Sequence, residues 1–221
     1  MSPTLLKALS PMALAAFKMA RTNPWEFYSL LKAFLKGLLY VLSYRLFRRN
    51  VKIGLPFLVY CKKIVISGPG SVFIDKGCSI FTNSFDRLAI ITLSPHAYVK
   101  IGKKCDLGGV TIRCHERIEL GDHVLAANCL VQDSAIATRQ HCRSRIPETG
   151  LSRLSRILIG RNVWLAGQTI VLHGSTIEDG AILSQGSMCC NFVIPRNHFA
   201  VGNPVRRSMS LDVINNVLRS P

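Results

Sequence analysis

Histidine is the side chain best suited to move protons near neutral pH, and this chain has six. His115 and His123 fall near turns of a region rich in short β-type runs, and His173 stands in another turn, directly before Gly174. We expect His123 and His173 to serve as turn residues. His115 precedes Glu116 and could approach a long loop that follows in the chain.

That loop breaks the regular pattern on either side of it and is rich in arginine. It runs from about 133 to 156 and contains His141, Pro147 and Gly150. Its arginines are Arg139, Arg143, Arg145, Arg153 and Arg156. Long loops in compact domains are usually functional or disordered. We therefore expect an excursion loop whose arginines could face an acidic ligand.

The eight cysteines include no CxxC pair, which argues against a zinc ribbon or a redox motif. Cys189 and Cys190 are adjacent, and neighbouring cysteines rarely bond to each other. Reduced thiols used as small buried apolar residues explain this usage. A reducing compartment follows, so we expect a cytoplasmic protein without a metal site.

The chain carries 28 Lys and Arg against 12 Asp and Glu, a formal charge of +16. Such an excess predicts attraction to an anionic partner: nucleic acid, a membrane face, an acidic glycan or a phosphate-rich cofactor. The basic residues concentrate in the N-terminal region and in the loop, and no nucleic-acid motif is present. Nucleic acid is therefore the least expected of these partners.

Residues 1–50 read as a basic amphipathic helical region. Up to residue 49 the one acid is Glu26, and Thr22 or Asn23 could cap a helix with Pro24 in its first turn. Such a region either lies peripherally on the cytoplasmic membrane surface or packs on the protein with its lysines solvated, and both alternatives stay open. Neither a signal peptide nor a transmembrane helix is expected.

A repeat of six residues organises the C-terminal half of the chain. Residues 159–194 divide into the rungs IGRNVW, LAGQTI, VLHGST, IEDGAI, LSQGSM and CCNFVI. First positions are apolar or cysteine, and fifth positions are small or β-branched. Upstream, the period continues with defects, placing Cys78, Ser84, Cys105, Thr111 and Val124 at fifth positions. This is a solenoid period, in which three rungs close one triangular coil.

These rungs and the segment after them resemble the hexapeptide-repeat acyltransferases, of the sugar and polysaccharide O-acetyltransferase type. The matching residues are Ile159, Gly160, Asn162, Val163, Trp164, Gly174, Thr176, Ile177, Asp179, Gly180, Ala181, Pro195, Asn197, Gly202, Asn203 and Pro204. The resemblance implies a mainly β fold: a left-handed parallel β-helix over residues 51–210, with an N-terminal helical extension, the protruding loop and a tail at 211–221. It also implies a homotrimer that binds acetyl-CoA between neighbouring prisms.

In the family, a histidine soon after an aspartate acts as general base on an acceptor hydroxyl. Here the aspartate is Asp133, but Ala137 stands where that histidine falls. Either the loop is re-registered and His141 serves, or the base lies elsewhere, with His115 as the candidate, or catalysis is lost. The catalytic set implied by the resemblance is therefore His141, His115 and Asp133.

The resemblance also assigns residues to acetyl-CoA and to the acceptor. Ala166, Gly167, Ser184 and Gln185 would lie along the cofactor groove, and Arg206 would pair with a phosphate. Cys190 and Asn191 replace a Thr-Lys pair, which removes one expected cation. Acceptor contacts are assigned to Asn128, Trp164 and Arg139.

The predicted function is O-acetyl transfer from acetyl-CoA to a hydroxyl of a cell-surface polysaccharide or its precursor. The alternative, prompted by Ala137, is a catalytically degenerate β-helix trimer that acts as a scaffold or partner in glycan assembly.

Overall fold

The structure, a computed structural model, describes residues 20–82, 86–134 and 156–213. Among these residues, the long helix α1 (Pro24–Phe47) precedes a series of short strands from Val51 to Ser210. Pro24 opens the helix and Asn23 is its N-cap residue, in agreement with the predicted start. Within the described residues, no helix combines the length and the hydropathy needed to cross a bilayer.

The described strands form three sheets, A, B and C, which the chain visits in turn. Sheet A contains β1 (Val51–Ile53), β4 (Ser71–Ile74), β7 (Tyr98–Ile101), β10 (Arg117–Leu120), β13 (Ile157–Ile159), β16 (Thr176–Ile177) and β19 (Val193–Ile194). Sheet B contains β2 (Leu58–Val59), β5 (Ser79–Ile80), β8 (Asp106–Gly108), β11 (Leu125–Ala127), β14 (Trp164–Leu165), β17 (Ile182–Leu183), β20 (His198–Gly202) and β21 (Val205–Ser210). Sheet C contains β3 (Lys63–Ser67), β6 (Arg87–Thr92), β9 (Thr111–Cys114), β12 (Leu130–Gln132), β15 (Ile170–Leu172) and β18 (Met188–Cys189).

Each strand pairs in parallel with the strand one coil later, except that β21 returns antiparallel to β20. The three sheets therefore enclose a three-sided prism, a parallel β-helix of about six coils. We name its edges by the sheets that they join: A–B, B–C and C–A. The predicted β-helix, mainly β with an N-terminal helix, is confirmed.

The rung pattern places the core as predicted at most positions. The first positions Ile159, Leu165, Val171, Ile177, Leu183 and Cys189 are all buried, and so are the fifth positions Val163, Thr169, Ser175, Ala181 and Ser187. The residue before each of these fifth positions has positive φ, and asparagine or glycine, which tolerate that conformation, fills most of these turns. Burial of the repeated aliphatic column supplies the main stabilisation of the prism.

Two predicted fifth positions are wrong because their rungs have five residues. Val193 is 53% exposed, because Phe192 takes the corner, partly buried against the core, and Ile194 begins the next rung. Thr111 likewise lies on the outer side of its strand, because Val110 takes the buried corner. In each case the positive-φ residue comes one position early, at Asn191 and Gly109. Ser84 lies outside the described residues.

Helix α1 covers the N-terminal end of the prism, packing on β1 and β2 and along the free edge of β3. Gly37 lies so close to Phe57 that a Cβ atom there would be 1.7 Å from the Phe57 carbonyl oxygen. The Tyr44 hydroxyl accepts from the backbone N–H of Ile66 at 3.0 Å, and burial raises the pKa of this phenol. The helix thus satisfies groups of an edge strand that would otherwise be open to pairing with another chain.

Lys36 is not a solvated lysine, in contrast to the lysines expected of a helix packed on the protein. Its ammonium group donates to the carbonyl oxygens of Cys61 and Lys62. Of the two N-terminal alternatives, packing on the prism is observed for one side of α1.

Candidate functional site

Asp133 is fully buried at the C–A edge, where its carboxylate holds the preceding turn of the same edge. It accepts hydrogen bonds from the backbone N–H groups of His115 at 2.6 Å, Glu116 at 2.7 Å and Arg117 at 2.9 Å. A carboxylate that receives several backbone donors is a strong local restraint. Asp133 therefore acts on the turn that presents His115, and its geometry suits a positioning role rather than contact with a substrate.

Cys114 completes this cluster and was not singled out in the sequence. Its thiol donates to Oδ2 of Asp133 at 3.4 Å. Burial raises the pKa of the Cys114 thiol, and the neighbouring Asp133 charge raises it further. The thiol therefore stays protonated, with Oδ2 of Asp133 and the Tyr98 carbonyl oxygen as acceptors, both at 3.4 Å. The sequence gives no signal for this role, because Asp133 lies 19 residues later in the chain.

His115 is exposed at the C–A edge, while its backbone is fixed from below. The described ends of the excursion loop lie at the same edge, at Ser134 and Arg156. Arg156 forms an ion pair of 3.6 Å with Glu116, next to His115. The chain therefore enters and leaves the loop beside His115. His141, Arg139 and Ala137 lie within the loop, outside the described residues.

Four of the five residues assigned to the cofactor are brought together in one column on the B–C edge. Ala166 and Gly167 lie between β14 and β15, and Ser184 and Gln185 lie one coil further on. The Gly186 N–H donates to the Gly167 carbonyl at 3.0 Å, which stacks the two turns. Asn128, assigned to the acceptor, extends the column by one coil, since its carbonyl accepts from Gln168 at 3.1 Å.

Gly167 stands out because nothing in the fold requires a glycine there. A Cβ atom at this position would meet no atom within 4 Å, and the backbone does not have positive φ. By contrast, a Cβ at Gly160 would lie 2.7 Å from the Asp179 nitrogen. The free surface at Gly167 is thus available for a ligand or a second chain to approach the backbone closely.

Backbone amides of the B–C edge differ from their counterparts on the A–B edge. On the A–B edge, the N–H groups of Lys103 and Arg161 donate to Asp122 and Asp179, each at 2.7 Å. The Arg161 N–H and the two arginines around Asp179 lower the pKa of that carboxyl group. At the equivalent turn positions, Gly167 and Gln185, no partner for the N–H lies among the described residues. These two donors are available to a bound molecule.

The other two predicted contacts lie on sheet B. Trp164 is 47% exposed on its outer face, in a ladder with Leu125 and Ile182. Arg206 is exposed on β21, just after the hairpin at Gly202. The Gly202 N–H donates to the Ser187 hydroxyl at 3.2 Å, which ties this hairpin to the B–C column.

The predicted catalytic and cofactor residues therefore occupy two different edges. His115, Asp133 and the loop ends are on the C–A edge, and Gly167 and its neighbours are on the B–C edge. Within one prism, sheet C separates the described residues of the two groups.

A groove of about 520 Å³ lies elsewhere, on the outer face of sheet A and its A–B turns. It is lined by Lys100, Glu119, Leu158, Arg161, Thr176, Asp179 and their neighbours, and it contains none of the predicted site residues. In the described part of the chain, no group of His, Cys, Asp and Glu is placed to hold a metal ion. The seven cysteines described are free thiols, and all but Cys190 are buried.

Comparisons with known proteins give partial matches. No family model matches the chain. Proteins of Staphylococcus aureus strains COL and MSSA476, each named "Putative acetyltransferase", are 36% identical to it over 63 residues. The match covers 28% of this chain, and the chain spans about a third (31%) of the length of these curated relatives.

The solved structures that are similar to this chain are more distant in sequence. A maltose O-acetyltransferase from Clostridium difficile 630 is 17% identical with a TM-score of 0.38, covering 86% of this chain and 89% of that one. A hexapeptide transferase family protein from Anaplasma phagocytophilum is 14% identical with a TM-score of 0.42, covering 76% and 88%. The three sheets of parallel strands establish the fold. The chain is a hexapeptide-repeat β-helix protein.

Proposed function

We propose that this protein is an acyl-CoA-dependent acyltransferase, which moves an acetyl group from acetyl-CoA to a hydroxyl of a cell-surface polysaccharide or its precursor. The B–C column is the observation that supports the proposal. Gly167 leaves free space that a side chain could fill, although the fold does not require a glycine there. Two backbone N–H donors on this edge also have no partner among the described residues. The name of the curated relatives supports the same class of activity.

The column suits an extended, amide-containing ligand. The pantetheine arm of coenzyme A offers amide groups, which can pair with the backbone at Gly167 and Gln185. Arg206, exposed beyond the same edge, would pair with a phosphate of the nucleotide end. Backbone recognition of this kind tolerates the change of the family's Thr-Lys pair to Cys190 and Asn191.

On the C–A edge, a histidine would serve as general base. His115, or His141 of the loop, takes the proton from the acceptor hydroxyl while that oxygen attacks the thioester carbonyl. The C–S bond then breaks, and the thiolate of coenzyme A leaves and is protonated. Asp133 holds the His115 turn in place, and the loop arginines, with Arg139 among them, would face an acidic sugar.

A homotrimer would unite the two edges. If the C–A edge of one prism lies against the B–C edge of the next, His115 and the loop of one chain meet the cofactor column of its neighbour. A cyclic, head-to-tail interface of this kind closes a ring and repeats the site three times. Trp164 and Asn128, near the column, then contact the acceptor. Both substrates would be met in the cytoplasm.

Replacing Gly167 with leucine tests this proposal. The new side chain has room in the fold, so we expect a change in unfolding free energy within about 0.5 kcal/mol. It fills the space proposed for pantetheine, so acetyl-CoA-dependent transfer should fall at least about tenfold, through a higher KM for acetyl-CoA. Release of free coenzyme A thiol is measured with a panel of polysaccharide and sugar acceptors.

The matched control is Lys103→Leu, which places the same side chain at the same turn position on the A–B edge. It should leave transfer unchanged. Equal activity of the Gly167→Leu variant and the wild type would contradict the proposed groove. The scaffold alternative predicts that the wild-type protein releases no coenzyme A with any acceptor.

A further inference from the structure

Helix α1 presents two apolar sides, and only one of them packs on the prism. Successive residues of an α-helix are rotated by about 100°. Ala33, Gly37 and Tyr44 therefore share one side, which is the side that contacts the first coil. The opposite side carries Tyr28, Leu31, Leu35, Leu39, Leu42 and Leu46, with Trp25 beside it near the N-terminal end. We call these seven residues the outer stripe.

The outer stripe is open to solvent along its whole length. Trp25 is 78% exposed, Leu39 68% and Leu46 74%, and the other members range from 42% to 59%. Folded monomers rarely leave a continuous apolar surface of this extent uncovered, and such surfaces mark interaction sites. Packing on the prism does not account for it, because the packed side lies on the opposite face of the helix.

Basic residues border the outer stripe. Lys32 lies on one flank and Arg45 on the other, and Arg21 precedes the helix; all three side chains are exposed. Glu26, the one acid of the helix, falls on the side turned towards the prism. Residues 1–19 add Lys7 and Lys18 in the sequence and no acid. An apolar stripe with a basic residue on each flank is the pattern of a helix that lies in the interface of an anionic bilayer.

Two other occupants fit the charges less well. A second copy of α1 would bring like charges together, since an isologous contact sets each flank near its own equivalent. Residues 1–19 carry the same sign of charge as the flanks. Anionic lipid headgroups complement the flanks, while acyl chains accept the leucines.

We propose that the outer stripe of α1 binds the surface of a membrane containing anionic phospholipids, with the helix lying parallel to that surface. Because α1 covers the first coil, the prism then projects away from the bilayer, and both edges of the candidate site remain in the aqueous phase. This inference is independent of acyl transfer, since no residue of the candidate site belongs to the stripe.

Vesicle co-sedimentation of the full chain tests the proposal. Vesicles of phosphatidylcholine alone are compared with vesicles containing phosphatidylglycerol, at low and at high salt. We expect binding to the phosphatidylglycerol vesicles that weakens as salt rises. A Leu35→Gln, Leu39→Gln double variant should lower the partition coefficient at least about tenfold without changing charge. A Lys32→Gln, Arg45→Gln variant should lower it about tenfold at low salt.

The control is a Val193→Gln, Val201→Gln double variant, which alters two equally exposed apolar residues at the other end of the prism. It should bind as the wild type does. Wild-type protein that stays in the supernatant with every vesicle overturns the proposal. Unchanged vesicle binding by the Leu35→Gln, Leu39→Gln variant also overturns it. A third result would also overturn it: the wild-type protein binds no vesicle, and the Leu35→Gln, Leu39→Gln variant forms a smaller oligomer. That result would assign the outer stripe to contact with a second copy of the chain.

Discussion

A variant with both His115 and His141 replaced by glutamine is expected to transfer acetyl groups about 10²–10⁴-fold more slowly than the wild type. Glutamine keeps hydrogen-bonding capacity but cannot take the proton of the acceptor hydroxyl. His115 is exposed beside both described ends of the loop, and its turn is held by Asp133. The affinity for acetyl-CoA should not change, because no residue of the cofactor column is altered. Initial rates of coenzyme A release and KM are the measurements.

The two single variants then assign the base to one histidine. His123→Asn is the control, because His123 has a φ of 59° on the A–B edge and asparagine tolerates that conformation. This control should keep the full rate. Wild-type rates in the double variant would show that neither histidine is the base.

Asp133→Asn is expected to reduce both stability and turnover. The amide group would place N–H donors against backbone N–H donors that are now satisfied by the carboxylate. Loss of several charge-assisted bonds at a buried site should lower the unfolding free energy by about 2–4 kcal/mol. Movement of the His115 turn should lower kcat at least about tenfold, even below the melting transition. Thermal unfolding and steady-state kinetics measure the two effects.

A positioning role predicts a particular division of the kinetic effect. The KM for acetyl-CoA should stay near the wild-type value, because the B–C column does not contact Asp133. Asp122→Asn is the matched control: Asp122 accepts one backbone N–H bond, from Lys103, on the A–B edge. It should change neither kcat nor stability by a comparable amount. Equal effects of the two variants would contradict the role given to Asp133.

The repeat made the core predictable because each buried residue recurs at a fixed spacing. From Ile159 onwards, rungs three apart return to the same edge, so residues 18 apart stack. The pairs Ala166 with Ser184 and Gly167 with Gln185 obey this rule. Counting in sixes fails where a rung has only five residues. At Asn191 the residue with positive φ comes one position earlier than the count predicts, and the sequence pattern does not reveal this. His115 could not be assigned to an edge for the same reason, since shorter rungs and the loop separate it from the regular stretch.

Other features depend on tertiary contacts that have no local signal. Asp133 was singled out by resemblance, but its three backbone partners lie 16 to 18 residues earlier in the chain. Likewise, nothing in the helical pattern shows that Lys36 is held by the carbonyl oxygens of Cys61 and Lys62. The sequence also does not show which apolar side of α1 packs on the first coil and which side stays exposed.

Calorimetric titration of the purified wild-type protein with acetyl-CoA tests the central proposal most directly, because it needs no knowledge of the acceptor. The two-edge site predicts saturable binding with about one acetyl-CoA per chain, since each chain supplies one B–C column. Absence of binding up to about millimolar cofactor, where an interaction of about 4 kcal/mol would already be seen, would contradict an acyl-CoA-dependent activity. The β-helix would then serve as a scaffold whose cofactor edge no longer binds its ligand.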